Sequence, residues 1–202
     1  YKVGRSLGAG AMAPFVNDTL WLNENYSTWE ILENGPLRST FKLVYKDLNV
    51  SGKTVSESRT FSIDAGSQLT KITQEYGFAE TTQVAAGIVK RESGDSVIYG
   101  RDYIIYAEPA TQKSNGVYLG LLFPKGFNHT VIQGYEVPAG EKGAGPYKHV
   151  LAVDLYEPGA PVTYYTGYGW SQFGFPAVSD FQAYMDRFSA ALSEPFAVTY
   201  EQ

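Results

Sequence analysis

The feature that most constrains this chain is a recurring alternation of apolar and polar residues, cut about every 10–15 residues by Gly, Pro or Asn. Residues 37–45 are the clearest case: Leu37, Ser39, Phe41, Leu43 and Tyr45 fall in step, with Arg38, Thr40 and Lys42 between them. A strand sends successive side chains to opposite faces, so this pattern predicts a half-buried β-strand. Residues 54–63, with Val55, Phe61 and Ile63, and residues 69–76 repeat it, and Asn34-Gly35-Pro36 and residues 49–52 are turn signals. Shorter runs predict strands over 19–22, 26–32, 83–90, 96–100, 103–107, 117–123, 150–156 and 163–169. Residues 3–10 are glycine-punctuated and read as a loop or irregular strand, residues 139–146 as a glycine-rich loop and 157–161 as a turn.

One helix is predicted, over residues 179–193. Ser179 as N-cap and Gln182 three residues on have capping-box spacing, and Phe181, Tyr184, Met185, Phe188 and Leu192 repeat at helical spacing. Pro195 stops it and residues 196–200 return as a last strand. Strand following strand without intervening helices means a meander or sandwich, not a βαβ fold. The expectation is an all-β protein: an antiparallel β-sandwich with one C-terminal amphipathic helix, in a single domain spanning 1–202.

Composition narrows the function. A net charge of −5 argues against a general nucleic-acid binder, and no stretch approaches the length of an apolar membrane span. With no cysteine, disulfides, thiol catalysis and cysteine-ligated metal are excluded, which fits a bacterial periplasmic or cytoplasmic protein. Only two histidines, His129 and His149, are present, so a His-rich metal site is excluded and no cofactor is expected; a calcium site of carboxylates and carbonyls stays open. The first residue is Tyr1 and no signal peptide is visible, which reads as processing or as a piece of a longer chain.

The chemistry-bearing candidates are few. His149 opens an apolar strand after the glycine-rich loop, a place suited to a general acid or base near neutral pH. His129 reads as a loop residue. Glu75 lies on one alternating strand, Glu57 and Arg59 on another, and Asp102 stands beside Arg101. Sixteen tyrosines, eleven phenylalanines and three tryptophans supply stacking surfaces with polar tips, which suit sugar rings. Trp29 lies near Tyr26, and Trp170 follows Tyr168 in a Gly-flanked turn. Arginine pairs bidentately with carboxylates such as those of uronates; Arg5, Arg38, Arg59 and Arg101 are available.

Separated stretches together resemble a bacterial family known as the domain of unknown function 4861. They are residues 1–10, Glu33-Asn34-Gly35-Pro36-Leu37-Arg38, Ser62-Ile63-Asp64-Ala65-Gly66-Ser67 and Tyr164 onward through Ser171, with the helix and Glu194-Pro195. The resemblance implies an antiparallel supersandwich similar to galactose mutarotase and an association with bacterial breakdown of pectin-like, uronic-acid polysaccharides. It also implies a periplasmic or extracellular setting. Family members look about twice as long, which implies that this chain is a carboxy-terminal portion whose sheet lacks strands and leaves an apolar face open. No agreed catalytic residues come with the family; mutarotase-like enzymes use a histidine and a glutamate.

The expected function is therefore a carbohydrate-active domain that handles uronic-acid oligosaccharides by acid/base chemistry at a sugar carbon. His149 and Glu75 are the expected acid and base. Arg5 and Arg38 would hold the carboxylate, with Trp29, Tyr168 and Trp170 as binding surfaces. The rival is a non-catalytic carbohydrate-binding or structural β-sandwich, which predicts an aromatic platform without an acid/base pair. It is favoured if His149 lies beneath rings with no carboxylate in reach.

Overall fold

The alternation folds into two facing antiparallel sheets. This computed structural model describes residues 6–90, 94–108, 110, 115–141 and 144–194; Arg5 and the strand expected over 196–200 lie outside the described residues. The larger sheet has eight strands, β10 (Ser96–Tyr99), β11 (Tyr103–Ala107), β12 (Val117–Leu122), β15 (Val162–Trp170), β8 (Leu69–Tyr76), β7 (Glu57–Asp64), β4 (Arg38–Val44) and β3 (Thr28–Asn34), in that spatial order. The smaller has five: β13 (His129–Val137), β14 (Gly145–Tyr156), β9 (Thr82–Lys90), β1 (Ala9–Val16) and β2 (Thr19–Leu20). A separate hairpin pairs β5 (Leu48–Val50) with β6 (Lys53–Val55). In both two-residue hairpins the turn residues take positive φ, Asn17-Asp18 between β1 and β2 and Ser51-Gly52 between β5 and β6. That geometry matches the right-handed twist of the flanking strands.

The core lies between the sheets. Met12, Val84, Ala86, Ile88, Val150 and Ala152 of the smaller sheet meet Ile72, Tyr76, Ile104, Tyr106, Leu121 and Tyr164 of the larger. These residues fix which face of each strand is inner. On β8 residues 70, 72, 74 and 76 point inward; the register Phe41↔Phe61↔Ile72↔Tyr164 carries the same face across β4, β7 and β15. The smaller sheet covers the inner face over β11, β12, β15 and β8, but not over β4 and β3, where no residue is buried.

The helix α1 (Val178–Ser193) lies against the outer face of the larger sheet. Phe181 and Met185 are buried there with Tyr103, Ile105, Tyr118, Leu122 and Leu69. Buried Asp102 accepts a hydrogen bond from Ser189 Oγ at 2.5 Å, and Tyr103 donates to Asp186 at 2.6 Å, so polar latches accompany the apolar stripe. The N-cap is Ala177, not Ser179: the Ala177 N–H donates to Asp180 Oδ2 at 2.8 Å, and Ser179 falls within the first turn. No helix among the described residues is long and apolar enough to cross a membrane.

Three strands differ in extent from the sequence expectation. The glycine-punctuated stretch 3–10, read as a loop or irregular strand, runs at Ala9 into β1 with a register shift between Ala9 and Ala11; there Thr166 Oγ1 donates to the Ala9 carbonyl at 2.6 Å, and Gly10, at φ +117°, gives the close approach a side chain would block. β13 takes in His129, expected in a loop, and β14 begins at Gly145, so His149 stands inside a paired strand and not at its start.

Candidate functional site

Strand parity and register separate the residues expected to act together. His149 shares the outer face of the smaller sheet with buried Leu151 and Val153. Glu75 and Arg38 lie on the outer face of the larger sheet, on the opposite outside of the sandwich. Trp29, Tyr168 and Trp170 do lie on the inner side of the larger sheet. Trp29 is beside Leu43 on the outermost strand, whereas Trp170 is eight residues along β15 from the row that holds Arg59, about 27 Å away at strand spacing.

The local environment of each agrees with this separation. His149 is 0% exposed and stacks on Tyr135 with ring centroids 4.5 Å apart. Its Nε2 accepts the Leu7 N–H at 3.1 Å, which puts the proton on Nδ1, and no carboxylate hydrogen-bonds to it among the described residues. Burial pushes its pKa down to about 4. Glu75 accepts from Lys42 Nζ at 2.9 Å and Ser58 Oγ at 2.8 Å, and these bonds hold its carboxyl below the usual range. Arg38 is committed to a two-point pair with Asp64 at 2.5 and 2.9 Å. His149 and Glu75 therefore do not form an acid/base pair, and Arg38 has its own carboxylate.

The His149 environment carries a pH prediction. Because the folded pKa is lowered from 6.5 to about 4, its contribution to stability is complete above pH 6.5 and is lost as pH falls through 4. The loss by pH 4 is about 3 kcal/mol. Urea unfolding at pH 7, 5.5 and 4.5 should therefore show a steeper acid loss in the wild type than in His149→Gln.

A different set of side chains does converge, on the inner face where β1 crosses β7. In β7 the residues Glu57, Arg59, Phe61 and Ile63 share that face, so two charges are interleaved with apolar side chains and one is pressed inside. The Glu57 side chain is 1% exposed. Its Oε1 accepts from Arg59 Nε at 2.8 Å, Arg59 Nη2 at 2.5 Å and Gln74 Nε2 at 3.3 Å, and its Oε2 accepts from Asn23 Nδ2 at 3.0 Å. Arg59 Nη2 also donates to the Met12 carbonyl at 3.2 Å, and the guanidinium lies 4.6 Å from the Tyr45 ring centre. Burial alone would push Arg59 down, but the Glu57 carboxylate outweighs it and holds the guanidinium charged.

Arg59 lines an open hollow of about 730 Å³. Tyr26, Tyr45, Asn23, Asn25, Lys46 and Glu24 line it with Arg59. The loop over 21–27 builds one wall by crossing from the smaller sheet to the larger: Trp21 N–H bonds to the Pro14 carbonyl, and Asn23 Nδ2 bonds to the Lys46 carbonyl at 2.9 Å. With Nε and Nη2 spent on protein, Arg59 Nη1 makes no hydrogen bond among the described residues, leaving two N–H donors beside the hollow. Two ring systems, two side-chain amides and two cations thus meet at one concavity, and among the described residues no group of His, Cys, Asp and Glu is arranged to hold a metal.

Sequence reasoning noted Glu57 and Arg59 but not their role. The available signal was the parity of Val55, Glu57, Arg59, Phe61 and Ile63, which places both charges on an apolar face. The loop residues Asn23 and Tyr26 gave no such signal.

Comparison with known proteins adds lineage. The chain is 25% identical over 204 residues to "Uncharacterized protein P7" of Formosa agariphila, a match that takes in 100% of this chain and 49% of that protein. The chain thus spans about half the length of this curated relative. The family described as Domain of unknown function (DUF4861) matches over residues 1–198, so the chain belongs to that family.

Proposed function

We propose that this domain binds an acidic saccharide, of the uronic-acid class, in the inner-face hollow over Arg59. The observation that carries the reading is the Arg59 guanidinium, fixed by buried Glu57, lying over the Tyr45 ring and lining the hollow with N–H donors that no described residue uses. A planar guanidinium matches a carboxylate, the exposed Tyr26 ring suits the C–H face of a sugar ring, and the Asn25 amide suits its hydroxyls. The Lys46 ammonium adds a second positive charge at the wall. Binding, not turnover, is the function this set of residues supports, because His149 and Glu75 stand on opposite outsides of the sandwich.

Isothermal titration with uronate oligosaccharides tests the proposal. Lys46→Ala and Tyr26→Ala, both at exposed positions, should each weaken binding about tenfold, or 1.4 kcal/mol. Trp170→Ala and Arg38→Ala should leave it unchanged. Undetectable binding by the wild type, or a loss confined to Trp170→Ala, rejects the site.

A further inference from the structure

The inner face of the two outermost strands of the larger sheet, β4 and β3, is apolar, and no strand of the smaller sheet covers it. On β7, β4 and β3 the inner face carries Trp29, Ile31, Phe41, Leu43, Phe61 and Ile63. Phe41 and Phe61 stack with ring centres 5.0 Å apart, yet Trp29 is 63% and Ile31 56% exposed. The opposite face of the same strands is polar and internally bonded, through Thr40 to Ser62, Lys42 to Glu75 and Arg38 to Asp64. One wet face and one apolar face is the alternation of strands packed on a second layer. A contiguous exposed apolar patch of this kind marks an interaction surface.

The edges say where that layer attaches. The β1 edge is closed: Pro14 lacks an N–H, its carbonyl accepts the Trp21 N–H, β2 pairs beside it, and Arg59 and Tyr76 both donate to the Met12 carbonyl. β3, by contrast, pairs only with β4 among the described residues, and every one of its seven residues is exposed. It carries no lysine or proline; its charges are Glu30 and Glu33, and its bulge at Leu32 leaves Thr28 to Ile31 regular.

We propose that polypeptide beyond residues 1–202, in a longer form of this protein, pairs strands with the β3 edge and lays an apolar layer over Trp29, Ile31 and Phe41. Two observations select this occupant. The relative matched across the whole of this chain is about twice as long, enough for a second set of strands. The larger sheet has eight strands and the smaller five, and β4 and β3 are left without a facing layer, so the missing cover is about two strands wide. A second copy joined edge to edge through β3 would lengthen the sheet and leave both inner faces bare. Trp29, expected from sequence as a saccharide platform, is then an interior packing residue, and the added layer supplies a further wall beside the Arg59 hollow.

The test compares two purified proteins, residues 1–202 and the complete gene product that contains them, each with the paired substitution Trp29→Thr and Ile31→Thr. In residues 1–202 the Tm should change by less than about 2 °C, because these side chains already face water; in the complete product it should fall by about 5 °C or more. Equal shifts, or a gene product no longer than about 202 residues, overturn the proposal. If the substituted complete product does not fold, amide exchange on the unsubstituted pair decides: β3 amides about 100-fold slower in the complete product support it, and equal rates overturn it. Sedimentation of residues 1–202 separates the other occupant, since a dimer dissolved by the same substitutions would assign the face to a second copy. None of these readouts involves saccharide, so they fail or succeed apart from the Arg59 reading.

Discussion

Replacing Glu57 by alanine should lower folding stability by about 3–5 kcal/mol, read as a drop in the urea midpoint without a change in slope. The Glu57 side chain is 1% exposed and accepts from Arg59, Gln74 and Asn23, three groups on three separate segments. Its removal leaves the Arg59 charge inside the sandwich without a carboxylate and leaves the Asn23 and Gln74 amides short of an acceptor. The destabilisation is mainly the penalty of that orphaned charge and not the net worth of the pair. Accordingly, the double variant Glu57→Ala with Arg59→Met should recover more than half of the loss. Strict additivity of the two single substitutions would show that the carboxylate and guanidinium do not depend on each other. The Glu57 variant should also weaken saccharide binding, because the guanidinium loses the partner that aims it.

The second large effect belongs to the helix. Phe181→Ala should cost about 3–5 kcal/mol, the range for emptying a fully buried aromatic site. Phe181 is 0% exposed and rests against Tyr118, Phe175 and Tyr184. It fits because the strands beneath it have no side chain at Gly169 and Gly120: a Cβ at Gly169 would lie 2.7 Å from the Phe181 ring. The cavity cannot close from below, since neither glycine offers atoms to move into it. Amide exchange should accordingly speed up in α1 and in β12, with β7 and β8 little affected. A loss under about 1 kcal/mol would mean that the helix is not docked in solution.

How far the sequence carried depended on whether a strand's two faces differ. β4, β7 and β8 have one apolar and one polar face, and their alternation predicted both the strands and the antiparallel sandwich. β1, with the run Ala-Gly-Ala-Met-Ala-Pro-Phe-Val, packs small residues on both faces, so no period-two signal survives, and only its first two residues fall in the stretch 3–10 read as a loop or irregular strand. β13 is an edge strand whose alternation is diluted by exposure, and without it β14 was read as starting near His149. That error of five residues turned a ring stacked on Tyr135 inside a sheet into an expected acid at a strand end. Expected site residues also scattered because sequence does not order strands in space. Glu75 and Lys42 are 33 residues apart yet bonded, whereas Glu75 and His149 lie on opposite outsides. Only the i, i+2 spacing of Glu57 and Arg59 was local enough to be read directly.

The most direct measurement is a map of backbone amide chemical shifts during titration of residues 1–202 with a uronate oligosaccharide. Saturable shifts at residues 22–26, 45–46 and 59, with Tyr168, Trp170 and His149 undisturbed, are the predicted result. Shifts centred on Tyr168 and Trp170 or on His149, or none at millimolar ligand, would contradict the assignment of the Arg59 hollow.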